Sequence, residues 1–306
     1  MKKYRKIVVT GGSGLLGRYL KKVLPDATYL SSRDYNLLEQ TEIRIMFKKL
    51  KPDILIHLAA QVGGVHHNIL EPVKYFDNNI IMNTLILHEA FKNKVKRFIT
   101  VLSSCVFPDL IKKYPISEDM LHQGSPHEDL FSYAYSKRCM ALQIDNYNKK
   151  HNTKYNYLIP CNLYGEYDKF DSIKGHFVGA LLHKIYLAKK HKKKSITLFG
   201  DGSPLRQFMY AEDLALIIKK TLENNVYDNF NVATNENYSV SNIANIALKA
   251  CGATHLRIKY DIKKPNGQLR KDIDNKKMLK LFPDIKLKNL YEGISEIYNK
   301  KFLNYE

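Results

Sequence analysis

A chain of 306 residues, 44% apolar and 26% charged, can bury a large two-lobed core and is too apolar to be disordered. Its net charge of +19 comes from lysines spread along the chain, so it reads as a basic surface suited to anionic nucleotides, with no nucleic-acid partner expected. No apolar stretch reaches the roughly 20 residues that a membrane helix needs, and Met1-Lys2-Lys3-Tyr4-Arg5-Lys6 leads directly into a strand-like run, so the expected compartment is the cytoplasm.

Ile7 to Thr10 reads as a strand, Leu15 to Leu24 as a helix and Ala27 to Leu30 as a second strand. Ile54 to Ala59, Ile80 to Phe91 and Phe98 to Leu102 continue the alternation, which predicts parallel strands joined by crossover helices. A long helix containing Tyr133 to Tyr147 leads to a strand at Tyr155 to Ile159, so the doubly wound sheet is expected to fill the first 165 residues. Beyond Gly165 the pattern is less regular. The basic run Lys189 to Lys194 reads as a solvated helix end, Gly200 to Pro204 as a tight loop, and Ser239 as the N-cap of a helix closed by Gly252. The expected fold is α/β, a Rossmann-type doubly wound parallel sheet with a smaller mixed α/β substrate-binding lobe. Residues 1–165 and 206–234 are assigned to the first, 166–205 and 235–306 to the second. Ligands of such sheets bind at the carboxyl ends of the strands.

Cys105, Cys139, Cys161 and Cys251 show neither a CxxC pair nor close histidine spacing, so free thiols and no metal site are expected. Thr10-Gly11-Gly12-Ser13-Gly14-Leu15-Leu16-Gly17 follows the first strand and opens the first helix, where backbone amides can hold a pyrophosphate. After the second strand comes Ser31-Ser32-Arg33. No acidic residue follows that strand at once to take a ribose 2′-hydroxyl, and Arg33 suits a 2′-phosphate, which favours NADP(H); Asp34 keeps NAD open.

Tyr133 and Lys137 stand four residues apart in a helical stretch and so share a face. A phenol has a reference pKa near 10; an adjacent ammonium is expected to lower it and tune Tyr133 for proton transfer. Ser103, at the end of the fourth strand-like run, can hydrogen-bond a substrate oxygen.

With the glycine loop, these residues resemble the extended short-chain dehydrogenase/reductases. Ala59-Ala60-Gln61-Val62-Gly63-Gly64, Ser103 to Pro108, Asn162-Leu163-Tyr164-Gly165, Gly202 to Phe208 and Lys264-Pro265-Asn266-Gly267 through Arg270-Lys271 narrow the resemblance to the GDP-fucose synthase family, over nearly the whole chain. The resemblance implies that NADPH reduces the C4 ketone of a GDP-4-keto-6-deoxy sugar, with Tyr133 as proton donor, Lys137 on the nicotinamide ribose and Ser103 orienting the carbonyl. Ala59 and Ala60 would border the cofactor. Cys105 and His176 match the pair that moves protons in C3 and C5 epimerisation, although a small core thiol and an ordinary polar histidine are the readings without the family. Phe199, Arg206 and Lys271 match positions around the nucleotide sugar. Phe199 replaces the family's usual tryptophan, and Glu166-Tyr167-Asp168-Lys169 replaces Pro-His-Asp-Asn, which opens a heptose as well as a hexose substrate. Reduction without epimerisation, a nucleotide-sugar 4-epimerase and a non-catalytic NADP-sensing or nucleic-acid-binding protein are the alternatives. Ser104-Cys105 stand where a 4,6-dehydratase carries an acidic pair. Homodimerisation through the helices containing Ile80 to Phe91 and Tyr133 to Tyr147 is expected by the same analogy, as is a role in surface-polysaccharide synthesis.

Overall fold

Short runs of β-branched and apolar residues separated by amphipathic helices give a sheet whose strands are buried on both faces. The structure, a computed structural model, describes residues 6–171, 175–264 and 266–303, all but the His66 side chain among these. Met1 to Arg5, Pro265 of the Lys264 to Gly267 motif and the last residue of the expected second lobe, Glu306, lie outside the described residues.

In chain order, β1 (Ile7–Thr10), α1 (Leu15–Val23), β2 (Thr28–Leu30), α2 (Gln40–Leu50) and β3 (Ile54–His57) are followed by α3 (Val65–Leu70), α4 (Pro72–Lys92) and β4 (Arg97–Val101). Then come α5 (Phe131–His151), β5 (Tyr155–Pro160), β6 (Asn162–Tyr164), α6 (Phe177–Lys190), β7 (Ser195–Phe199), β8 (Leu205–Arg206) and β9 (Phe208–Tyr210). The chain continues through α7 (Ala211–Glu223), β10 (Phe230–Val232), β11 (Tyr238–Ser239), α8 (Val240–Ala250), β12 (Arg257–Asp261), α9 (Lys276–Leu281) and α10 (Leu290–Lys301).

The main sheet has six parallel strands in the order β10-β5-β4-β3-β1-β2. Its sixth strand comes from residues 230–232, beyond the first 165, because α7 carries the chain back to pair β10 with β5. The strand order reverses at β1, so the crevice for a ligand opens between the carboxyl ends of β1 and β3. Gly11, Ala59 and Ser103 follow β1, β3 and β4 and therefore lie along one edge of the sheet.

Three two-stranded ribbons, β6 with β9, β8 with β11 and β7 with β12, build the rest around α6, α8 and α10. Ser239 caps α8 by accepting from the Asn242 amide at 3.1 Å, as its position before an apolar helix predicts. Residues 191–194 of the basic run are exposed at the end of α6.

Candidate active site

The turn from β1 into α1 is built by glycines that nothing larger could replace. Gly11 has φ of 74°, and a Cβ there would lie 2.6 Å from the Ala59 nitrogen; a Cβ on Gly17 would lie 2.5 Å from the Gly11 oxygen. The turn thus packs on the end of β3, and α1 packs on the turn. Gly14 caps α1 without a side chain and its first turn holds no acidic residue, so the helix offers amide donors and positive dipole to an anion. Ser13 and Gly14 are exposed at the rim; Leu15 is half-buried and Leu16 buried behind them. Beyond Ala59 and Ala60, Asn79 pins the loop, accepting from the Gln61 amide at 2.9 Å and donating to the Gln61 carbonyl at 3.0 Å. A cradle this close in backbone and open at a helix end fits a dinucleotide pyrophosphate.

After β2, Arg33 is exposed. Asp34 beside it is exposed as well, with Oδ2 accepting from the Ser31 amide and hydroxyl at 2.7 and 2.8 Å, which hold the carboxyl below its ordinary value. One oxygen of that carboxylate is engaged within its own loop, and the exposed Arg33 guanidinium beside it suits a 2′-phosphate.

Ser103 ends the strand-four region as the N-cap of a short 3₁₀ turn, Ser104–Val106. The Cys105 thiol donates to Ser103 Oγ at 3.0 Å, so a hydroxyl and a buried thiol meet within one turn. On α5, Lys137 donates to the Val101 carbonyl at 3.1 Å, with Nζ 6.0 Å from the centre of the Tyr133 ring. Burial lowers the Lys137 ammonium to about 8, against the opposing pull of charge on Cys105. Burial also raises Tyr133 above its ordinary value, and charge on Cys105 adds to this. The sequence predicts the opposite direction for Tyr133; desolvation outweighs an ammonium that is bonded to a carbonyl instead of the phenol oxygen. The phenol is therefore held protonated, the state an acid requires.

Charge on Cys105 also acts on Lys271, whose own ammonium is lowered mainly by burial, and Arg206 is a further charged neighbour of Lys271. Ser103, Cys105, Tyr133, Lys137, Arg206 and Lys271 thus form one electrostatically connected group. Gln207 secures its far side: its Nε2 donates to the Thr234 carbonyl at 3.1 Å and its Oε1 accepts from the Ile273 amide at 2.9 Å, tying β8 and β9 to the segment that bears Lys271. Among the described residues no hydrogen bond or ion pair joins Arg33, Phe199 or His176 to this group. Phe199 is exposed at the end of β7 with Lys184 and Lys264 ammonium groups 5.1 and 5.9 Å from its ring centre.

His176 caps the start of α6, and its Nδ1 lies 2.9 Å from Asp168 Oδ1, an interaction that raises its pKa. Glu166 and Tyr167, two of the residues that depart from the family pattern, serve packing. Glu166 is buried and pairs with Lys22 at 2.7 Å and Lys300 at 3.6 Å, while Tyr167 packs against Tyr19.

Sequence reading missed Arg138 and His57. Arg138 is buried and donates through Nε to the Val106 carbonyl and through Nη1 to the Gly124 carbonyl at 2.6 Å, which clamps the Ser103 turn onto α5. His57, at the end of β3, accepts from the Thr10 hydroxyl at 2.7 Å and donates to Asn83 Oδ1 at 3.1 Å; burial, with Lys137 adding, pushes it down to about 3. A neutral His57 links β1, β3 and α4 beneath the cofactor turn. The signal for both was a polar residue on an otherwise buried face.

The model of the NAD dependent epimerase/dehydratase family matches residues 7–233. A GDP-L-fucose synthase of Dictyostelium discoideum is 34% identical over 99% of this chain and 97% of its own length. A GDP-L-colitose synthase of Yersinia pseudotuberculosis is 35% identical over 88% of this chain and 89% of its own. The crystal structure of a GDP-L-fucose synthetase from Naegleria fowleri bound to NADP matches with a TM-score of 0.89 at 31% identity, covering 100% of this chain and 96% of that one.

Proposed function

Because this chain belongs to the NAD dependent epimerase/dehydratase family, we propose that it is an NADPH-dependent oxidoreductase that reduces the C4 ketone of a GDP-linked 4-keto-6-deoxy sugar and epimerises it at C3 and C5. The observation that carries this reading is the 3.0 Å contact between the Cys105 thiol and the Ser103 hydroxyl, an acid–base group beside a carbonyl-orienting one.

Gly11 to Gly17, Arg33, Ala59, Ala60 and Lys137 would hold NADPH, which when bound would supply the hydride for C4. Ser103 donates a hydrogen bond to the C4 oxygen. Tyr133, kept protonated by burial, passes its proton to that oxygen as negative charge develops there. Lys137 holds the ribose, and its charge favours the phenolate left behind. A C4 ketone acidifies the hydrogens at C3 and C5, which Cys105 and His176 remove and return. Lys271 lies within electrostatic reach of Cys105. Arg206 and Lys271 face the diphosphate, and Phe199 borders the sugar.

In this reading residues 1–165 and 206–234 bind the cofactor, and 166–205 and 235–306 bind the nucleotide sugar. Val73 and Ile81 of α4 and Leu142 of α5 are exposed apolar residues on a packed helix pair, which supports a homodimer through those helices. A cytoplasmic enzyme supplying sugar nucleotides for a surface glycan completes the proposal.

The test is incubation with GDP-4-keto-6-deoxymannose in deuterated water, with and without NADPH, following NADPH absorbance and counting incorporated deuterons by mass spectrometry. NADPH oxidation with deuterium at C3 and C5 supports the bifunctional reading. Oxidation without deuterium reduces it to a 4-ketoreductase, and no reaction overturns the substrate.

A further inference from the structure

We propose that Asp168 is the positioning residue for His176: a buried carboxylate that holds the imidazole by Nδ1 and leaves Nε2 as its proton-exchanging atom. The inference rests on the assignment of His176 to epimerisation.

The Asp168 side chain is 4% exposed against 48% for His176, so a fixed anion sits behind a solvent-facing ring. Oδ1 accepts from the Lys169 amide at 2.9 Å and meets His176 Nδ1 at the same distance, whereas Oδ2 has no hydrogen-bond partner among the described residues. No lysine or arginine pairs with this carboxylate among the described residues, so its counter-charge is the imidazolium. A carboxylate only accepts, so the ring proton facing it resides on Nδ1, and Nε2 points the other way.

The local chain is shaped for this contact. A Cβ on Gly175 would lie 2.4 Å from the Lys169 oxygen, and one on Gly179 would lie 2.8 Å from that same oxygen and 3.6 Å from Asp168 Cγ. These two glycines let the 168–171 loop close onto the start of α6. The charged groups facing the imidazole are Asp168 and Lys169. The helix N-terminus and Lys169 both disfavour an imidazolium. His176 is nonetheless raised, with the Asp168 hydrogen bond as the main cause, opposed by burial.

The experiment titrates full-length protein carrying ¹⁵N-labelled histidine by NMR, with the His176 ring assigned by loss of its signals in His176→Asn. In the wild type the neutral ring should carry its proton on Nδ1. In Asp168→Asn the His176 pKa should fall by about one pH unit, and the NADPH-independent deuterium exchange at pH 7 should drop about 10- to 100-fold, its His176-controlled limb moving to lower pH. Asp168→Glu, which keeps the charge, should restore part of the exchange and the raised pKa. An unchanged His176 pKa and tautomer in Asp168→Asn would overturn the proposal. If His176→Asn leaves exchange intact, the role of His176 itself fails, and the titration still decides whether Asp168 governs the ring. Should Asp168→Asn not fold, the wild-type spectrum decides alone: a neutral ring protonated on Nε2, or a pKa at or below the ordinary histidine value, overturns it.

Discussion

Around Tyr133 and Lys137 protonation is set by burial, whereas around His176 it is set by a charged partner at an exposed helix end. On the first side the fixing contacts go to backbone carbonyls, from Lys137 to Val101 and from Arg138 to Val106 and Gly124. On the second they are ion pairs between side chains, Asp168 with His176 and Glu166 with Lys22 and Lys300. The contrast teaches that one molecule can keep a phenol neutral and a histidine basic at the same pH, because the two answer to different physical causes.

The largest effect expected from breaking the buried side is that of Tyr133→Phe, which removes the acid and should lower NADPH oxidation about 10²- to 10⁴-fold. Deuterium exchange without NADPH should stay within a few fold, and an equal loss of both would show that the two halves are not separable. Next, Cys105→Ser replaces the thiol by a much weaker acid and should reduce exchange about 100-fold, measured by mass spectrometry under the same conditions. Arg33 belongs with the exposed, charged side. Arg33→Ala should raise the KM for NADPH about tenfold, the value of one charge-assisted hydrogen bond, and leave that for NADH unchanged.

How much of this was visible beforehand depended on the range of the interaction. The glycine turn, Ser103 and the Tyr133 and Lys137 pair are local patterns whose spacing carries their meaning, and the resemblance extended them to Cys105 and His176. Arg138 and His57 were not legible, since each acts on backbone or side chains brought to it only by the fold. Glu166 reads in the sequence as a departure that opens a heptose substrate, and its partners, Lys22 and Lys300, lie far away in the chain. The direction of the Tyr133 shift was misjudged because spacing reports which groups share a face and says nothing of how much water reaches them.

Two smaller effects sharpen the contrast. Burial alone would raise the Glu166 carboxyl, but Lys22, with Tyr167 and Lys300, holds it below its ordinary value. A depressed carboxyl adds stability above its unfolded pKa and loses it as pH falls through the folded one. Glu166→Gln should therefore cost about 1 kcal/mol at pH 7 in denaturant unfolding, since the lysines are part-exposed and screened, and nothing once the pH is below the folded value. The smallest effect is that of salt. Raising it from about 0.05 to about 0.5 M should move the His176 pKa, read by NMR titration, by a few tenths of a pH unit and leave that of buried Lys137 in place, because buried groups are screened least.

The pairing of Glu166 with both Lys22 and Lys300 also orders events in time. α1 emerges in synthesis well before α10, and the carboxylate that joins them lies between the two in the chain. Tyr19 of α1 extends the same tie by donating to Tyr210, which in turn donates to Glu296 of α10. Contacts between such distant segments form late and slow the search for the native state. α1 is thus made before α10 and fully secured only after α10 has docked, so slow steps in folding are expected to involve this tie.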